Sequence, residues 1–110
     1  MVNEQIIWLL TNCNNKAEAH SLGQKLLSQR LIACYDVIPE REATYFWPPK
    51  TDKTETVTGS LLIGVTIADK FDESSIEIKK YHSDEVPFIG SISIDRVNND
   101  YKEWLLGELQ

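Results

Sequence analysis

Apolar residues along this chain recur with two periods, and the change from one to the other sets out the elements. Gln5 to Thr11 (QIIWLLT) is a short, nearly continuous apolar run of β-favouring residues, as expected of a strand covered on both faces. Asn14 or Asn15 can cap a helix over Lys16 to Gln29, where Ala19, Leu22, Leu26 and Arg30 return at helical spacing and Arg30 sets its charge in the last turn. A second β run covers Leu31 to Ile38, breaks at Pro39 and resumes through Thr44, Tyr45, Phe46 and Trp47, so one long, bent strand is predicted. Lys50 to Lys53 reads as a hairpin tip, and Thr54 to Thr66 as the returning strand.

The helical period then returns. Asp69 is the expected N-cap of a second helix ending near Tyr81, with Phe71, Ser75, Ile78 and His82 on one face. Ile89 to Asp95 alternates Gly90, Ile92 and Ile94 against Ser91, Ser93 and Asp95, the pattern of a half-exposed strand. Asn98 or Asn99 caps a terminal helix with a stripe of Tyr101, Leu105 and Leu109, and Trp104 beside it. The order β, α, β, β, α, β plus a C-terminal helix predicts an α+β, ferredoxin-like split βαβ sandwich, with one domain spanning residues 1–110. Apolar residues on both sides of the first and third strands leave a sheet face that the two main helices cannot cover, so an oligomer is expected.

Composition narrows the partners. With 110 residues and 42% apolar content the chain holds one core. Seventeen acidic against eleven basic residues give a net charge of −6, and no basic cluster offsets it, so nucleic acid is excluded as a partner. No apolar run approaches the roughly 20 residues of a membrane span. The start, Met1 to Glu4, lacks the basic region of a signal peptide, so the expected compartment is the cytoplasm, with both cysteines reduced.

Several segments in succession resemble the CutA family of small divalent-ion tolerance proteins. They are Leu26 to Cys34 (LLSQRLIAC), Ile38-Pro39, Tyr45-Phe46-Trp47, His82 with Pro87, and Asn99-Asp100-Tyr101 with Trp104. The resemblance implies a subunit related in fold to the PII signalling proteins and a homotrimer whose subunits extend one another's sheets. It also implies a role in tolerance of divalent metal ions such as copper; an enzyme is not expected, because no convergent acid, base and nucleophile set is visible in the residues. The departures bear on function. Val65-Thr66 stands where the family usually shows Lys-Thr, and Asp84 and Phe88 replace a tyrosine and a glutamate. The first-strand cysteine and adjacent histidines associated with metal in some bacterial members correspond here to Leu10, Tyr81 and His82.

His82 is therefore the one candidate metal ligand, with Asp84 and Glu85 as neighbouring oxygen donors; the competing reading is that it caps the second helix's C-terminus. Cys34 is expected to be buried and inert. Cys13, in a polar turn near a helix N-terminus, is expected to be the more reactive thiol. Tyr45, Phe46 and Trp47 read as subunit-interface anchors, with a ligand-stacking surface as the competing reading. Asp36 must be exposed or paired, and His20 is assigned no role. No Gly-rich phosphate loop, Ser-His-Asp set, CxxC or HExxH is present. A weakly copper-binding trimer is the leading expectation, needing no cofactor; the alternative is a PII-like regulator taking a small molecule or protein at subunit clefts.

Overall fold

The computed structural model describes residues 3–110; Met1 and Val2, on which part of the reading of the chain's start rests, lie outside them. Strand β1 (Ile6–Cys13) leads to helix α1 (Lys16–Ser28), the long strands β2 (Cys34–Phe46) and β3 (Thr54–Ile67), helix α2 (Phe71–Tyr81), strand β4 (Ile89–Ser93) and helix α3 (Asn99–Glu108). The sheet order is β2-β3-β1-β4, with every neighbouring pair antiparallel. That is the split βαβ arrangement expected from the element order.

The register sorts the core into two layers. Leu9 of β1 and Leu62 of β3 meet Ala19, Leu22 and Leu26 of α1 and Ile78 of α2 on one face. Ile6, Val65 and Ile67 meet Leu105 of α3 and Leu109 at its C-terminal cap on the other. Helix α3 covers only one end of this second face. Trp8 and Ile92, paired across β1 and β4, are 42% and 51% exposed, and Ile38 and Trp104 are exposed as well.

Four local details depart from the sequence reading. Arg30 is not in the last turn of α1 but beyond it, at φ 58. Its N–H donates to Leu27 O (2.9 Å) and that of Leu31 to Leu26 O (3.0 Å), a Schellman closure that seats Leu31 against the helix it follows. The strand consequently begins at Cys34 rather than at Leu31. The strand is one long, bent element as expected, a bulge between Ile38 and Arg41, with Glu40 at φ 57, absorbing Pro39 so that pairing with β3 continues to Phe46. Asp69 does not cap α2. The N–H groups of Ala68 and Asp69 donate to Gln5 O (2.8 Å) and Asn3 O (3.0 Å), which holds residues 68–70 in a 3₁₀ turn that runs into α2 at Phe71, with no side-chain cap. The last strand stops at Ser93 rather than Asp95.

Beyond the β1 edge, where Cys13 faces Ser60, the outer half of the β2–β3 hairpin pairs only with itself. It stretches the chain to 47 Å against 25 and 24 Å in the other directions. Its tip carries Tyr45, Phe46 and Trp47, with Phe46 69% exposed. Among the described residues no helix is long and apolar enough to cross a membrane.

Candidate functional site

The polar residues of this sheet gather where β1 ends, α1 begins and α2 gives way to the loop before β4. Asn15 caps α1, its side chain accepting from the N–H of Glu18 at 2.8 Å. The Glu18 carboxylate reaches back from the first turn: one oxygen accepts from Asn14 N–H and the other from Ser83 N–H, each at 3.0 Å. This extends a capping box, in which a side chain three residues into the helix turns back to its start, so that it also grips the α2–β4 loop. Burial works to raise the Glu18 pKa, but the hydrogen bonds from Ser83 and Asn14 and the nearby His82 outweigh it, and the carboxyl is held below its ordinary value.

His82 completes the junction. Its backbone N–H closes α2 on Ile78 O at 2.9 Å, so the residue does cap the helix, but by its main chain. The buried imidazole turns to β1 instead. Asp84 N–H donates to Nδ1 at 2.9 Å, which puts the ring proton on Nε2, and Nε2 donates it to Asn12 O at 2.6 Å. Asn14 ties the same loop from the other side, its Nδ2 donating to Ser83 Oγ (2.8 Å) and Asp84 Oδ1 (2.6 Å).

The thiols are placed opposite to expectation. Cys13 is the last residue of β1, 2% exposed and packed in the core; burial pushes its pKa up to about 12, with Glu18 and Asp84 adding to the rise against the pull of Arg41. It is inert, because strand pairing with Ser60 carries it inward before the polar turn begins. Cys34 is the more accessible, half-buried on the second sheet face with Sγ 3.4 Å from Tyr101 Oη. Burial, followed by Cys34 and Asp36, pushes the Tyr101 phenol up to about 12. Both cysteines are free.

Donor atoms of Cys13, Glu18 and His82 lie within 4.8 Å of one another. As held, they do not fit a metal centre: the imidazole has no free nitrogen, the thiol keeps its proton, and both Glu18 oxygens already accept N–H groups. Leu10 lies half-buried on the second face, and Tyr81 is exposed with Lys25 Nζ 4.9 Å from its ring centroid. Asp36 is exposed, and His20 sits at the surface with Nδ1 3.2 Å from Tyr35 Oη.

Beside this junction lies a cleft of about 300 Å³. Arg41 and Trp47 of the β2 side, Gly59 of β3, the end of β1, and Asp84, Glu85 and Phe88 of the loop border it. Gly59 is required there, since a Cβ would collide with the Cys13 carbonyl oxygen. Sequence reasoning passed over Glu18 and Arg41. The spacing Asn15-x-x-Glu18 was a readable capping signal, whereas nothing local to Arg41 marks the bulge that aims it.

Comparison with known proteins places the chain among relatives of consistent description. The family model for the CutA1 divalent ion tolerance protein matches residues 7–108. The divalent-cation tolerance protein CutA of Pyrococcus horikoshii is 38% identical over 90 residues, which span 82% of this chain and 84% of that protein. Two solved structures superpose with a TM-score of 0.89: the periplasmic divalent cation tolerance protein CutA of Archaeoglobus fulgidus and CutA1 of Oryza sativa. The first is 26% identical, covering 96% of this chain and 99% of its own; the second is 27% identical, covering 96% and 94%.

Proposed function

This chain belongs to the CutA1 divalent ion tolerance family, and on that premise we propose that it acts in divalent-cation tolerance as a homotrimer with no chemistry of its own. The carrying observation is the uncovered apolar half of the second sheet face, together with a hairpin that projects without a third strand. Trp8, Ile38 and Ile92 stand on one surface, and an isolated two-stranded hairpin is marginal in water. Subunits arranged in a closed ring, each laying its hairpin along the next sheet, would cover both features at once.

Copper binding in this account is weak. His82 can take a cation only by giving up its bond to Asn12 or to Asp84, and the second ligand set is absent from Leu10 and Tyr81. The free thiols favour a reducing compartment, and we assign the protein to the cytoplasm. Ile92→Glu, which sets a carboxylate on the exposed sheet face, should split the assembly on a sizing column while leaving the far-ultraviolet dichroism unchanged. An assembly untouched by that charge would remove the sheet face from the interface.

A further inference from the structure

Arg41 is the one basic side chain bordering the cleft, and it is held there at a cost. Its Nε is buried without a hydrogen-bond partner, and the two ion pairs among the described residues, Arg30–Glu108 and Lys80–Glu77, lie elsewhere. A buried donor left unpaired is destabilising, so native structures rarely keep one without a use. One further feature aims it. Glu40, a non-glycine residue, sits at φ 57 in the bulge just before it.

The wall supplied by the 84–88 loop has the opposite charge, Asp84 and Glu85, while Tyr45, Trp47 and Phe88 provide apolar surface. A plain anion would meet the two carboxylates, and a plain cation would leave Arg41 unpaired. A molecule carrying both charges satisfies each wall. The volume is at the small end for ligand pockets and suits a body of amino-acid size. We propose that this cleft binds a free amino acid, its carboxylate on the Arg41 guanidinium, its ammonium against Asp84 and Glu85, and its side chain along Tyr45 and Trp47.

Nitrogen-15 spectra of the assembled protein test this through the Arg41 Nε–H and the Trp47 indole N–H, with the Trp104 indole as the remote control. The proteinogenic amino acids are added singly at millimolar concentration. At least one should move both cleft signals saturably and leave Trp104 in place. Its decarboxylated and its deaminated analogues should each bind about tenfold more weakly or worse. Arg41→Gln should abolish the response; Arg41→Lys, which keeps the charge and guards against misfolding of the first variant, should weaken it. Glu85→Gln should reduce affinity for the amino acid but not for the deaminated analogue. The proposal is overturned if no amino acid moves the Arg41 signal, if the decarboxylated analogue binds equally well, or if binding survives in Arg41→Gln. A ligand-free Arg41 N–H already shifted and protected from exchange would overturn it too, by making a carboxylate of a second copy its partner.

Discussion

Replacing Glu18 by glutamine isolates the junction that joins α1 to the α2–β4 loop. The carboxylate accepts from two backbone N–H groups, of Asn14 and Ser83, at 3.0 Å each. An amide of the same shape offers one oxygen, so one of the two contacts is lost and the other loses its charge. Charge-assisted hydrogen bonds contribute about 1.5–3 kcal/mol when well buried. These are reached by solvent, which reduces the expected loss to about 1 kcal/mol, or about 4 °C in Tm for a domain of this size. Because folding holds the Glu18 carboxyl below its ordinary value of 4.5, its stabilisation is complete above that value and is lost as pH falls through the lower folded value. The gap between wild type and Glu18→Gln should therefore be full at neutral pH and narrow through the acid range. Thermal melts at fixed protomer concentration across a pH series measure it. Equal stability at neutral pH, or a gap that stays constant into acid, would refute the reasoning.

Three other outcomes follow from the placement of single residues. A soluble alkylating reagent should modify Cys34 before Cys13, as mapped by mass after brief labelling, because Cys13 is buried with its thiol pushed up to about 12; faster labelling of Cys13 would contradict this. Gly59→Ala should lower stability by on the order of 1–3 kcal/mol in urea unfolding, since the new Cβ meets a backbone carbonyl that cannot step aside; a neutral result would mean that β1 and β3 yield there. Calorimetric titration with copper should give weak heats that are alike in wild type and His82→Ala, whereas a stoichiometric submicromolar site lost in the variant would show that the Asn12 and Asp84 bonds open readily to metal.

The sequence reading succeeded where one local rule governed each residue. The spacing of Ala19, Leu22 and Leu26 marked the buried stripe of α1, Asn15 its cap, and Leu105 and Leu109 the stripe of α3. It failed where a partner distant in sequence overrode the local preference. Asp69 is a fair cap by composition, but Asn3 and Gln5 claim the backbone of that turn. Cys13 looked solvated because asparagines surround it, and only its pairing with Ser60 turns it inward. The site was legible in part: His82 could be singled out, but which atoms its nitrogens would meet depended on Asn12, 70 residues away.

Sedimentation equilibrium of the intact protein at micromolar concentration bears most directly on the assembled, sheet-sharing account. A mass three times that of the 12.6 kDa chain, without a monomer fraction, is the expected result. A clean monomer, with Trp8 and Ile92 left on a free surface and the hairpin unsupported, would contradict it.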